Sequence, residues 1–260
     1  MRSRALCCKN SSVSSVSSVV TVLLLTAACA RTPTAPSSNT PAVSEPTVRV
    51  LMVSTTYGFR HDSITTATEV MPVIGRSSGL LFTTTEDLSA ISASNLSSFD
   101  VLMFANTTGE LPLTSDQKQA VLSFVSDGHG FVGTHSATDT LREWADYGRL
   151  VGAYMVDHPW TQQARVLVED AAHPAIGIRD PFTLEEEFYV FGTNPRSRAQ
   201  VLLRLDAASV SATGDYPLAW AQSFGSGRSY YNALGHFPAT WRDSRYQQQL
   251  IAGLRWAANK

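Results

Sequence analysis

Residues 101–134 read VLMFANTTGELPLTSDQKQAVLSFVSDGHGFVGT, in which two short apolar runs flank an amphipathic segment. Residues 101–105 and 131–134 have the length and the continuous apolar character of strands that are buried on both faces. Between them, Thr114 can cap a helix over residues 115–127, whose apolar side chains recur at helical spacing and whose end is marked by a glycine. A strand, a helix and a second strand at this spacing predict a βαβ unit, and therefore a parallel sheet.

The pattern continues on both sides of this unit. Residues 48–54 and 80–83 are further short apolar runs typical of parallel strands, and residues 140–147 have a helical pattern. Later in the chain strand signals dominate, and a Gly-Ser-Gly turn at 225–227 indicates a hairpin. The strands expected in this second part cover residues 165–168, 188–191, 201–205, 218–224 and 229–233, and a helix follows over residues 246–258. We therefore predict a three-layer α/β sandwich with a mostly parallel sheet and an antiparallel extension.

The composition fits one domain of this kind. The chain has 260 residues, of which 43% are hydrophobic, and this is enough for one sizeable core. Its formal charge of -2 provides no basic field for a phosphate backbone, so nucleic acid is not an expected partner. The one GxGxxG match, GHGFVG at 128–133, follows a predicted helix and enters a predicted strand, whereas the dinucleotide fingerprint follows a strand and opens a helix. The sequence has no phosphate-binding loop motif either, so nucleotide cofactors have no support.

The N-terminus predicts export. Three basic residues precede a nearly apolar stretch over residues 19–28, which is too short for a transmembrane helix of roughly 20 apolar residues. We predict a signal peptide over residues 1–28. Its end, Thr-Ala-Ala-Cys at 26–29, resembles a bacterial lipobox, in which Cys29 takes diacylglycerol before cleavage ahead of it. In the alternative interpretation, ordinary cleavage occurs near the same small residues and Cys29 is incidental.

Lipidation at Cys29 predicts a membrane-anchored protein of the bacterial cell envelope. Residues 29–47, rich in Pro, Ser and Thr, have the composition of an extended tether, so the folded domain is expected over residues 48–260. Ala30 follows Cys29 where inner-membrane retention is associated with Asp, which favours the outer membrane in a host with two membranes. The other two cysteines lie in the removed segment, so the exported domain is expected to have neither a disulfide nor a catalytic thiolate.

Three histidines follow predicted strands in glycine-bearing turns. His61, His135 and His236 are therefore expected at the carboxyl edge of the sheet, where α/β folds bind ligands. The acidic run at residues 185–187, at a predicted strand start, could complete either a divalent-metal site or a general acid/base site beside them. The remaining histidines are expected to be structural or exposed: His129, His158 and His173.

The turn at residues 133–137, Gly-Thr-His-Ser-Ala, has the outline of a nucleophile elbow. His135 occupies its tip, where such elbows carry Ser or Cys. Ser136 remains an alternative nucleophile, which would need a base and a third orienting group.

Eight ordered segments together resemble the ThuA-like, or trehalose-utilisation, family. They are GFRHDSI (58–64), GTHSATD (133–139), HPWT (158–161), HPA (173–175), EEFY (186–189), PLAW (217–220), GR (227–228) and ALGH (233–236). The resemblance implies a flavodoxin-like fold, similar to class I glutamine amidotransferases. In those enzymes the elbow carries the catalytic cysteine, so a histidine at position 135 implies that thiolate amide hydrolysis is not shared.

The resemblance also implies a site and a field of chemistry. The family is associated with bacterial sugar catabolism, including trehalose and related disaccharides, which implies a small sugar as the ligand. The implied catalytic residues are His61, His135, Glu187 and His236, with His135 as general base or metal ligand. The three histidines are also the implied ligands of a divalent metal such as zinc.

Further residues are expected to contact the sugar, and two positions depart from the family pattern. The expected contacts are Arg60, Trp160, Tyr189 and Trp220, with one of the two indoles stacking on a pyranose. The family's acidic pair usually begins with Asp where this chain has Glu186, and many members have His where it has Tyr216. Two alternatives to a sugar-processing enzyme remain: a noncatalytic carbohydrate-binding lipoprotein, and a serine hydrolase acting through Ser136.

Overall fold

The computed structural model describes residues 47–259. The predicted signal peptide, Cys29 and all but the last residue of the tether lie outside the described residues and stay predictions. Within the described residues, no helix is both long and apolar enough to cross a bilayer.

The described chain forms one sheet of nine strands covered by helices. The strands are β1 (Val48–Val53), β2 (Leu80–Thr85), β3 (Val101–Ala105), β4 (Gly130–Thr134), β5 (Met155–Val168), β6 (Phe182–Phe191), β7 (Gln200–Leu205), β8 (Pro217–Phe224) and β9 (Gly227–Asn232). Their order across the sheet is β2-β1-β3-β4-β9-β8-β7-β5-β6. The predicted α/β fold is confirmed.

The sheet has a parallel half and an antiparallel half. β2, β1, β3, β4 and β9 pair in parallel, whereas β9, β8, β7, β5 and β6 pair antiparallel. The predicted antiparallel extension is thus present, and it has four strand pairings, as many as the parallel part. β5 begins at Met155 and not near 165, and residues 155–163 lack the apolar alternation that marks a half-buried strand, so the sequence pattern does not indicate this part of β5.

Helices cover both faces of the sheet and complete the three layers. They are α1 (Ser63–Ser77), α2 (Ala93–Leu96), α3 (Ser115–Ser126), α4 (Ala145–Val151), α5 (Pro238–Arg242) and α6 (Ser244–Ala257). α1 contacts α5, and α5 contacts α6, in one layer, whereas α3 contacts α2 and α4 in the other. The helix predicted over residues 140–147 was wrong at its start, because Thr140 is extended and helix α4 begins only at Ala145.

The sequence accounts for the local structure around the predicted βαβ unit. The hydroxyl of Thr114 accepts from the backbone of Gln117, whose side chain caps Thr114 in return, so the predicted capping box is present. Every residue of β3 and β4 is buried, as expected for central strands covered on both faces. The parallel strands β1, β3, β4 and β9 therefore end at one edge of the sheet, and the loops that follow them meet there.

Candidate functional site

Four predicted site residues converge at this edge from four different elements. His61 lies in the loop between β1 and α1, His135 directly follows β4, and His236 lies between β9 and α5. Glu187 lies in the middle of β6, which begins at Phe182 rather than beside the acidic run. One ligand atom from each residue lies within 4.8 Å of the others. We refer to these four residues as the histidine–glutamate cluster.

His135 is fixed by its backbone and by its ring. It has a φ of 45°, a left-handed conformation that is uncommon for a residue other than glycine, and its side chain is buried. Its Nδ1 lies 2.9 Å from the carbonyl oxygen of Ala233, which can only accept, so Nδ1 carries a proton and donates it. In the neutral ring, Nε2 is therefore an acceptor, and its lone pair faces the cluster.

Several groups surround this nitrogen. The Nε2 atom of His61 lies 3.1 Å away, Nδ1 of His236 lies 3.2 Å away and Oε2 of Glu187 lies 3.4 Å away. The hydroxyl of Tyr189 lies 2.8 Å away, and burial raises its pKa well above the usual value, so it stays neutral and donates. The Tyr189 ring also stacks on the His135 ring, with centroids 4.4 Å apart.

The other two histidines have opposite electrostatic environments. Burial, reinforced by the charges of His135 and His236, lowers the pKa of His61 to about 3, so its ring is neutral near pH 7. Burial also lowers the pKa of His236, but a 3.2 Å hydrogen bond to Glu187 and the charge of that carboxylate outweigh it, so the net shift is upward. His236 is thus the histidine of the cluster best placed to take up a proton.

Glu187 remains an anion within the cluster. Burial opposes its ionisation, but the hydrogen bond from His236 and the neighbouring ring of His135 hold its pKa well below the usual range. Its second oxygen, Oε1, lies 3.1 Å from Nδ1 of His158, a side chain that is 54% exposed. The carboxylate therefore bridges the buried histidines and an exposed one.

His158 is a functional candidate that the sequence reasoning missed. The sequence predicts a structural or exposed His158, whereas the residue lies within β5, where the pairing with β6 shifts register, and contacts Glu187. The one available signal was its place in the segment HPWT of the family resemblance.

Glu186 holds the loop that carries His236. Its buried carboxylate accepts hydrogen bonds from the backbone nitrogens of Gly235 and His236, at 3.0 and 2.9 Å. It also accepts from the hydroxyl of Thr240, at 2.7 Å. Successive residues of a strand point to opposite faces, so Glu186 positions the loop while Glu187 joins the cluster.

The cluster borders a pocket of about 250 Å³. The pocket is lined by Phe59, His61, Thr108, Ser136, Asp139, Met155, His158, Glu187, Tyr189 and His236. Its volume lies below the roughly 300–1,000 Å³ of sites for drug-sized ligands, which favours a small ligand or one part of a larger one.

Of the four expected sugar contacts, only Tyr189 lines this pocket. The guanidinium of Arg60 forms two hydrogen bonds with the carboxylate of Glu86, at 2.8 and 2.7 Å. Trp160 is half-buried with its ring edge-to-face against Tyr216. Trp220 is fully buried, and its indole donates to the carbonyl oxygen of Val151, so it offers no face to a ligand.

Ser136 lies beside the cluster without a short hydrogen bond to a base. It is buried, it lines the pocket, and its Oγ lies 3.4 Å from Nδ1 of His61. This separation is longer than the 2.6–3.2 Å expected of a nucleophile and its base, although such bonds are often looser before substrate binds.

The donor set of the cluster fits a divalent transition metal. Three imidazole nitrogens and one carboxylate oxygen are ligands that suit zinc, iron, manganese or nickel. The hydrogen bond from His135 Nδ1 to a carbonyl is also the kind of outer contact that orients a metal-ligating histidine. The residues present therefore fit such an ion.

Comparison with known proteins supports the family suggested by the sequence. The family model described as "Trehalose utilisation" (ThuA) matches residues 49–257. No curated protein matches the chain.

Solved structures share the fold. A putative ThuA-like protein from Bacteroides uniformis is 22% identical with a TM-score of 0.70, over 82% of this chain and 92% of its own. A putative ThuA-like protein from Parabacteroides merdae is 17% identical with a TM-score of 0.67, over 82% and 90%. A cytoplasmic protein from Salmonella typhimurium is 13% identical with a TM-score of 0.56, over 81% and 98%. At these identities the likeness shows the fold alone.

Proposed function

Because the chain belongs to the ThuA, or trehalose-utilisation, family, we propose that it is a metal-dependent sugar-processing enzyme of the bacterial cell envelope. Its reacting site is the histidine–glutamate cluster, and its ligand is a small sugar such as trehalose or a related keto-sugar. The alternative is a noncatalytic sugar-binding lipoprotein. It would replace this proposal if the chain binds sugar and converts none of it to product.

One observation carries the metal part of the proposal. Four ligand atoms from four residues lie within 4.8 Å of one another. His135 presents Nε2 because its other nitrogen donates to Ala233, while His61 is kept neutral and Glu187 is kept ionised. Lone pairs that face one another repel, and a shared cation removes this repulsion.

The arrangement assigns distinct tasks to the residues of the cluster. His61, His135, Glu187 and His236 would hold a divalent ion, which would supply Lewis-acid chemistry toward a carbonyl or hydroxyl group of the sugar. His61 remains a neutral ligand because its pKa is low, and Glu187 contributes the negative charge. His236 would complete the ligand set, and the Tyr189 hydroxyl, which lines the same pocket, can donate a hydrogen bond to a bound sugar.

Metal analysis tests the centre directly. The full chain, purified without chelator, is expected to retain close to one equivalent of metal, and His135→Ala and His236→Ala are each expected to lose it. His129→Gln is the matched control, because His129 packs on Phe124 outside the cluster. Well-folded wild-type protein that neither retains nor takes up zinc, manganese or iron(II) would overturn the metal centre.

Turnover separates an enzyme from a binding protein. Trehalose and its 3-keto derivative are incubated with the metal-loaded full chain, and the products are followed by NMR. New sugar signals with wild type, but not with His135→Ala, support the enzyme. Binding of sugar with no product in any condition identifies the chain as a sugar-binding protein instead.

The proposal of an envelope location is based on the sequence of residues 1–47. Lipidation at Cys29 followed by an extended tether would hold the domain near a membrane surface. Growth of the expressing bacterium with labelled palmitate is expected to label wild type and not Cys29→Ser. Equal labelling of both chains, or of neither, would remove the anchor from the proposal.

A further inference from the structure

Phe59 is an exposed aromatic residue in the wall of the pocket. Its side chain is 68% exposed, and its ring is perpendicular to the His61 ring with centroids 4.9 Å apart. A single exposed apolar side chain is ordinary on a protein surface. Phe59 differs because its ring borders the pocket beside the histidine–glutamate cluster.

Asp139 places a carboxylate in the same wall. It ends the 3₁₀ helix His135–Asp139, and one of its oxygens accepts from Nη1 of Arg142 at 3.1 Å. The same guanidinium nitrogen donates to the carbonyl oxygen of Met155 at 2.8 Å, which fixes the arginine. A carboxylate has about four acceptor sites, so this contact leaves capacity for ligand hydroxyls. Arg142 also offsets the negative charge of Asp139. A ligand would therefore meet hydrogen-bond acceptors on Asp139 rather than a net negative charge.

Two consecutive residues hold both groups in place. The hydroxyl of Thr108 donates to the carbonyl oxygen of Phe59 at 2.8 Å and accepts from the backbone nitrogen of Gly58 at 3.2 Å. The backbone nitrogen of Gly109 donates to the carbonyl oxygen of Asp139 at 2.9 Å. The backbones that carry the aromatic ring and the carboxylate are thus both hydrogen-bonded to residues 108–109, which limits the backbone entropy lost when a ligand binds.

We propose that Phe59 and Asp139 form a subsite that binds one pyranose ring of the substrate beside the histidine–glutamate cluster. The proposal rests on the proposed sugar-processing function. A pyranose has an apolar face of C–H groups, which packs on an aromatic ring, and hydroxyls at its edge, which donate to a carboxylate. This subsite replaces Trp160 and Trp220 as the expected stacking surface.

Calorimetry on the metal-loaded full chain tests the subsite with trehalose and methyl α-D-glucopyranoside as probes. Phe59→Ala and Asp139→Asn are each expected to weaken trehalose binding about tenfold, and Phe59→Trp to retain it. Tyr57→Ala is the matched control, because Tyr57 is 61% exposed on the same loop and does not line the pocket. Metal content is expected to be equal in wild type and in all four variants.

The outcomes separate this proposal from the one it rests on. If wild type binds trehalose and both Phe59→Ala and Asp139→Asn bind it equally well, the subsite is wrong while the sugar function stands. If metal-loaded wild type binds neither probe, the subsite is wrong while the metal centre stands. If sugar binding depends on Phe59 and Asp139 in a chain that holds no metal, the subsite is correct and the metal centre is wrong.

Discussion

At the scale of single residues, Glu186 and Glu187 divide two tasks between neighbouring positions of one strand. Glu187 contributes an oxygen to the histidine–glutamate cluster, whereas Glu186 is fully buried and accepts from three backbone nitrogens and one hydroxyl. Such a donor set stabilises a buried carboxylate, and its geometry fixes the backbone of residues 235–236. The position of His236 therefore depends on a residue outside the cluster and outside the pocket lining.

Glu186→Gln is expected to destabilise the fold by about 2 kcal/mol, because an amide NH₂ group would face donors that now share a carboxylate oxygen. It is also expected to weaken metal retention, because the loop that carries His236 loses its anchor. Glu185→Gln is the control, since Glu185 is exposed on the same strand. Urea denaturation measures the first effect and metal analysis the second, and equal values for both variants would contradict this role.

The residues of the site were predictable to different degrees. His61, His135 and His236 follow strands of the parallel half, and position after a strand can be inferred from the sequence. The partners of a buried indole cannot be inferred in this way, so Trp220 was expected to stack on a sugar although it lies in the core. His158 was missed for a similar reason, since its partner Glu187 is distant in sequence.

At the scale of elements, the loop between β1 and α1 shows how the chain holds an exposed site. The segment at 108–109 approaches this loop so closely that a Cβ at Gly109 would lie 2.7 Å from the carbonyl carbon of Tyr57. Gly109 also has a φ of 77°, which strains any other residue. The Arg60–Glu86 pair fixes the far side of the same loop, so Arg60 supports the site from outside.

Gly109→Ala is expected to cost about 3 kcal/mol, because a backbone clash adds to the strain of a positive φ. Gly128→Ala is the matched control, since Gly128 has a φ of 117° and a Cβ there meets nothing within 4 Å. Only the strain, about 1–2 kcal/mol, applies to the control. Thermal unfolding compares the two, and an equal loss of Tm would show that the close approach at Gly109 has no cost.

Arg196 joins two segments of the antiparallel half and makes them sensitive to pH. Its guanidinium contacts the carboxylates of Glu169 and Asp215, and the hydrogen bond to Arg196 lowers the pKa of Asp215 below its usual 3.8. A depressed folded-state pKa contributes stability above the unfolded value, and this is lost as pH falls through the folded value. The pair is partly exposed, so its contribution is modest.

Arg196→Ala is expected to lower Tm by a few degrees at pH 7, and the gap from wild type is expected to narrow as pH falls below about 4. Arg165→Ala is the control, because its nearest carboxylate oxygen, on Asp206, is 4.0 Å away. Calorimetric scans at pH 7 and pH 3 measure the difference in Tm between wild type and each of the two variants. A gap for Arg196→Ala that stays constant or widens in acid would contradict the assignment.

At the scale of the whole molecule, the histidine–glutamate cluster joins the two halves of the sheet. β6 lies five strand positions from β4, which in a flat sheet would be about 24 Å. Glu187 of β6 nevertheless lies 3.4 Å from His135 after β4, so the antiparallel half curls over the edge of the parallel half. Strand patterns predict the strands but not this curvature, which is why the sequence indicated an acid near the histidines without indicating how it reaches them.

A metal ion bound by the cluster would therefore link both halves, and its removal should loosen the far edge first. A ligand that binds only the folded state stabilises it by about 2.7 kcal/mol at a free concentration of 100 times Kd. For a domain of this size that corresponds to a rise in Tm of about 5–10 °C. We expect zinc or manganese to give such a rise in wild type, chelator to reverse it, and His135→Ala to show none.

Hydrogen exchange locates the effect within the molecule. Chelation is expected to accelerate exchange of β6 amides around Glu187 more than that of β3 amides, because β6 is an edge strand whereas β3 is central and fully buried. His129→Gln, with the cluster intact, should behave as wild type. A rise in Tm that also occurs in His135→Ala, or that leaves β6 exchange unchanged, would mean that the ion acts elsewhere and that the curl is held by protein contacts alone.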